Sequence, residues 1–125
     1  LEHLQPADAL HFLTESLRIL KPGAVARISV PDTRKFVMAY LGREDDGGLP
    51  YRFPDRADYL AALTQMHGHQ SIWDEENLSR VLGETGFINI RRQDYRAGRN
   101  PDLLVDHVDR RDESLFMEAE KPLAS

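Results

Sequence analysis

Leu17-Arg18-Ile19-Leu20-Lys21-Pro22-Gly23-Ala24-Val25-Ala26-Arg27-Ile28-Ser29-Val30-Pro31 reads as the end of a helix, a stop signal and a buried strand. The stop has three parts: a cation at the negative helix end, a proline ring that cannot continue the ladder, and a glycine that tolerates positive φ. Upstream, Leu10, Leu13, Leu17 and Leu20 form a stripe at helical spacing, widened by Ala9 and Phe12, so the helix is expected from about Pro6 to Leu20. Downstream, five of the seven residues Ala24–Val30 are apolar, the pattern of an inner strand covered on both faces. A helix running at once into such a strand is the second half of a strand–helix–strand crossover. The strand that should precede the helix is not in the sequence, which leads to the expectation that the chain is a piece of something longer.

Similar local signals continue along the chain. Asp32 or Thr33 is placed to cap a second helix through Leu41, and Asp55 a third to Met66. Between them Glu44-Asp45-Asp46-Gly47-Gly48 is a polar, glycine-rich loop, and residues 43–50 are expected to be the most mobile part of one domain spanning 1–125. Asp74 suits the N-cap of a fourth helix, with Glu75 and Glu76 in its first turn, Leu78, Val81 and Leu82 on its apolar face, and Trp73 poised to staple onto Leu78. Gly86 ends it, and Phe87–Arg92 reads as a strand. Leu103, Leu104, Val105 and Val108 fit a short helix after Asn100-Pro101. Ser114–Lys121 alternates, with Leu115, Met117 and Ala119 on one face and Phe116, Glu118 and Glu120 on the other. The sum is an α/β domain whose last two strands are antiparallel neighbours.

Composition narrows the function classes. With 125 residues, 41% of them hydrophobic, the chain is neither disordered nor, lacking a long apolar run, able to form a spanning helix. Zero cysteines remove disulfides and thiolate metal sites and fit a reducing, cytoplasmic setting. A net charge of −5 argues against a general nucleic-acid binder, although Arg91, Arg92, Arg96 and Arg99 form a local basic cluster. No Gly-x-Ser-x-Gly elbow and no Gly-x-Gly-x-x-Gly or Walker loop occurs. His67-Gly68-His69 has the spacing of two metal ligands, but nothing in the sequence places a third, so a helix-end histidine followed by a loop histidine is the better account and no metal is expected.

Three segments in register carry a resemblance. Leu1-Glu2-His3-Leu4 with Leu20-Lys21-Pro22-Gly23 and the strand after it, His69…Trp73 followed by the Asp74–Gly86 helix and Phe87, and Ser114-Leu115-Phe116-Met117-Glu118-Ala119 together resemble the class I S-adenosylmethionine-dependent methyltransferases, in a type found in glycan gene clusters. Ala24 departs from the second glycine that is usual after Lys-Pro-Gly. The resemblance implies the C-terminal portion of a Rossmann-like methyltransferase sheet, strands 5-7-6 with the last pair antiparallel and flanking helices. The glycine-rich cofactor loop of that family would lie before Leu1.

By this resemblance the expected chemistry is methyl transfer from S-adenosylmethionine to a small-molecule or glycan-like acceptor, with the isolated chain inactive. The resemblance also implies Glu2 and His3 beside the cofactor, His3 or His69 as the catalytic base, and Asp32, His67 and Trp73 at the substrate pocket. The alternative is a non-catalytic methyltransferase-like module that associates with itself or a partner. In either case the exposed edge of Ala24–Val30 is a pairing template. The expected partner is a second copy or the missing N-terminal half, with no nucleic acid and no membrane.

Overall fold

The computed structural model describes residues 1–42, 49, 53–106 and 111–123. Its elements are α1 (Pro6–Ile19), β1 (Val25–Pro31), α2 (Thr33–Tyr40), α3 (Ala57–Thr64), α4 (Glu75–Thr85), β2 (Ile88–Gln93) and β3 (Ser114–Glu120). Most of the expected loop 43–50, and Val108 of the expected short helix, lie outside the described residues.

The three strands form one sheet in the order β1-β3-β2, and β3 is antiparallel to both neighbours. β1 and β2 therefore point the same way, and the last strand of the chain is inserted between them. The β1–β3 register runs from Val25 opposite Glu120 to Pro31 opposite Ser114. Among the described residues, no strand pairs with the other side of β1.

The period-two pattern of β3 has two different outcomes on its two faces. Leu115, Met117 and Ala119 pack with Ala9 and Leu13 of α1 and Leu78 and Leu82 of α4, all at 1% exposure or less. On the other face Phe116, Glu118 and Glu120 are also buried, beneath a cover of polar chain rather than a helix. Arg27 of β1 reaches across this face. Its Nη1 donates to Glu118 Oε2 at 2.8 Å and to the Ala97 carbonyl at 2.8 Å, while its Nε donates to Asp106 Oδ1 at 2.9 Å. Arg91 bridges Glu118 and Glu120, and Arg99 pairs with Glu120. A Cβ on Gly98 would lie 2.0 Å from Glu118 Oε2 and 3.0 Å from Arg27 Nη1, so any side chain there would have to push the Glu118–Arg27 pair aside. Two of the four arginines of the basic cluster, Arg91 and Arg99, are thus engaged by β3's carboxylates, while Arg92 meets Asp32 and Arg96 meets Asp106: charge pairing closes a sheet face that apolar residues leave open.

Asp106 is held below the usual carboxylate range, first by its hydrogen bond from Arg27, against the opposing effect of burial. A lowered folded-state value gives stability that is present above the unfolded value of about 3.9 and is lost as pH falls through the folded one. Asp106→Asn is therefore expected to be less stable than the parent at pH 7 but to lose less on acidification. Urea melts at neutral and acidic pH measure both differences.

Several local features differ from the sequence expectations. α3 starts with Arg56 at the N-cap position and no side-chain cap, so Asp55 does not play that part. The 101–103 segment is a single 3-10 turn, in which the Asn100 side chain accepts from the Asp102 backbone N–H, and Val105 is exposed. The cation that satisfies α1's last carbonyls is Lys121, whose Nζ donates to the Arg18 and Leu20 carbonyls. α4 forms as expected: Asp74 and Asn77 make a reciprocal capping box, and Gly86 closes the helix at φ 118°. No described helix is long and apolar enough to cross a membrane.

Candidate functional site

A second apolar cluster, Phe36 and Ala39 of α2 with Leu49 and Tyr59, Ala62 and Leu63 of α3, lies apart from the sheet core. Between the two clusters, at the C-terminal end of β1, is a cleft of about 450 Å³. That is within the usual size range of small-molecule sites. Ser29, Val30 and Pro31 line it from the sheet, Phe36, Ala62 and Met66 from the helical side, and Glu2, His3, His67, His69 and Glu113 bring its titratable groups.

Two distant stretches of chain meet to build it. The Glu2 carbonyl accepts from the backbone N–H groups of Gln70 (2.7 Å) and Ser71 (3.1 Å), and Gln5 Nε2 donates to Gln70 Oε1 at 2.8 Å. This clamp sets His3 against His69, with ring centroids 5.1 Å apart and planes at 69°. After α3, His67 adopts a left-handed backbone (φ 59°), a conformation that asparagine, aspartate and histidine adopt more readily than other non-glycine residues, and Gly68 follows at φ 74°. His67 lies 6.0 Å from His69, ring to ring.

Backbone carbonyls orient both facing imidazoles. His69 Nδ1 lies 2.9 Å from the Leu63 carbonyl, and His3 Nδ1 lies 3.4 Å from that of Gly68. A carbonyl only accepts, so in neutral His69 the proton sits on Nδ1 and Nε2 keeps its lone pair. His3 differs, with an acceptor at each ring nitrogen: the Gly68 carbonyl 3.4 Å from Nδ1 and Glu2 Oε1 3.5 Å from Nε2, so its neutral form donates to only one of them. The arrangement can accept a proton, hold an oxygen-bearing ligand, or offer two imidazoles and a carboxylate to one ion.

Of the six residues named from the sequence, four meet here: Glu2, His3, His67 and His69. Asp32 and Trp73 do not line the cleft. Asp32 is buried as the N-cap of α2, its Oδ1 accepting from the Arg34 N–H at 3.2 Å, with Arg92 Nη2 3.9 Å from Oδ2. Burial pushes its carboxyl above the ordinary range, against the pull of Arg34's N–H and Arg92's charge. An amide caps as well as a carboxylate. Asp32→Asn is accordingly expected to match the parent's stability at neutral pH, while Asp32→Ala costs about 0.5–2 kcal/mol, both read by urea denaturation.

Trp73 is 4% exposed in the sheet core, and its Nε1 donates to Ser71 Oγ at 2.9 Å. Its carbonyl accepts from the Thr33 N–H, tying the start of α2 to the start of α4. It supports the clamp from behind. Ser29 and Ser114 were not legible as cleft residues: each lies near the paired ends of β1 and β3, and only the register brings them together.

No family model, curated protein or solved structure matches the chain.

Proposed function

We propose that the chain is the C-terminal, acceptor-side portion of an S-adenosylmethionine-dependent methyltransferase that acts on a small-molecule or glycan-like acceptor in the cytoplasm. One observation carries the reading: the final strand is inserted, reversed, between two strands of common direction, with Glu2 and His3 at the C-terminal end of β1. The sequence resemblance requires that order, and open α/β sheets bind ligands at that end of their strands.

The residues of this chain do not make a whole cofactor cradle, since its eight glycines form no phosphate or nucleotide loop. S-Adenosylmethionine, held mainly by the upstream part, would supply the methyl group. The part played by this chain is to position the acceptor between the sheet and α2–α3, and to take its hydroxyl proton on Nε2 of His69 or His3. His69 is the better base, because its carbonyl hydrogen bond is shorter and it is less exposed. The codons ahead of Leu1 test the reading. A hydrophobic strand followed by a glycine-rich loop is expected about 50–70 residues upstream; an unrelated upstream sequence contradicts it.

The edge of β1 that no described strand pairs with favours a second reading, a module that associates with a copy of itself. Light scattering is expected to give twice the chain mass at high concentration if this reading holds. A monomer throughout the concentration range removes it.

A further inference from the structure

The geometry points to a divalent transition-metal site formed by Glu2, His3 and His69 at the cleft. One donor atom from each of the three residues lies within 4.8 Å of the other two. Donors on a tetrahedral ion at the usual bond lengths of about 2.0–2.1 Å lie about 3.4 Å apart, and Glu2 Oε1 and His3 Nε2 are already at 3.5 Å. The remaining closure is within the reach of small side-chain rotations, because His3 is half exposed and has room to turn.

The surroundings are those of a ligand set. Metal-binding histidines characteristically donate their second ring N–H to a carbonyl or carboxylate, which fixes the ring and leaves the other nitrogen to the ion. His69 does this to Leu63, and His3 faces Gly68 in the same manner at greater length. The main-chain clamp from Glu2 to Gln70 and Ser71 holds the two halves of the set together across 67 positions of sequence.

The donor types choose the ion. Two imidazoles and a carboxylate suit zinc and its first-row neighbours, whereas magnesium and calcium take oxygen donors. Three protein ligands leave one position open, and the cleft gives it room. The class of ligand for that position is an oxygen donor: water, or a hydroxyl or carboxylate of whatever enters the cleft. The site rests on this geometry alone and stands whether or not the chain comes from a methyltransferase; with an ion bound, the Nε2 atoms of His3 and His69 are ligands and neither takes a proton, so this occupancy and the base role proposed above exclude one another.

The test is calorimetric titration of Zn²⁺ into the chelator-treated, tag-free chain, with Co²⁺ absorption as a second readout. One ion per chain is expected, with visible Co²⁺ bands of the intensity of a low-coordinate site. His3→Ala and His69→Ala are each expected to weaken binding by about tenfold or more, while His11→Ala, an exposed histidine on α1, leaves it unchanged. Circular dichroism verifies that each variant is folded, and the exposure of His3 makes its variant the safer one. No uptake at large molar excess, or uptake that survives both substitutions, overturns the proposal.

Discussion

Arg27→Ala is expected to destabilise the protein by about 3–5 kcal/mol, the usual cost of removing one partner from a buried ion pair. The Arg27 side chain is 5% exposed, and its partners Asp106 and Glu118 are 6% and 0% exposed. With Arg27 gone, Asp106 keeps hydrogen bonds from Arg96 among the described residues, and the Asp94 and Ala97 carbonyls lose their Arg27 donor. Glu118 keeps Arg91 and the Arg99 N–H, so the damage concentrates on the 94–106 cover. In a domain of this size the loss corresponds to a drop in Tm on the order of 10 °C. Removing the charges together, as Arg27→Met with Glu118→Leu and Asp106→Asn, should recover part of it, because replacing a whole buried ion pair leaves no uncompensated charge, while the Asp94 and Ala97 carbonyls still lack their Arg27 donor. If Arg27→Ala melts within a degree or two of the parent, the polar closure of the second sheet face is not what holds the cover down.

Trp73→Ala is expected to cost a similar amount, about 3–5 kcal/mol, and to loosen the cleft that Trp73 does not line. The indole belongs to the same buried core cluster as Val30, Leu78 and Leu115, and its N–H holds Ser71, whose own hydroxyl donates to the Leu1 carbonyl. Trp73→Phe keeps most of the packing and removes only the hydrogen bond, so it should fall between the parent and the alanine variant. Urea melts give the ordering, and histidine proton resonances report whether His3 and His69 still face one another. An alanine variant of parental stability would return Trp73 to a binding role.

The two halves of this picture were legible to different degrees. Elements with a strong period and a chemical stop, such as α1 with Lys21-Pro22-Gly23 and α4 with Asp74 and Gly86, were readable because local signals alone settle them. The strand at Ser114–Glu120 was readable as an alternating strand, but its central place in the sheet comes from pairing at long range. The burial of its polar face was not readable, because alternation gives a side chain's direction and not what lies above it; the cover of residues 94–106 carries no periodic signal. The cleft residues were named by resemblance rather than by spacing. Glu2 as a companion to His69 was out of reach, since no local rule joins the first turn of the chain to the end of α3.

The central claim, that this sheet with its histidine-lined cleft is the acceptor side of a cofactor-dependent transferase, is tested most directly by one titration. S-Adenosylmethionine is titrated by calorimetry into the 125-residue chain and into the same chain extended by the upstream residues that the proposal expects its gene to encode. The account predicts stoichiometric binding by the extended protein and no heat from the chain alone. A folded extended protein that takes up no cofactor contradicts it.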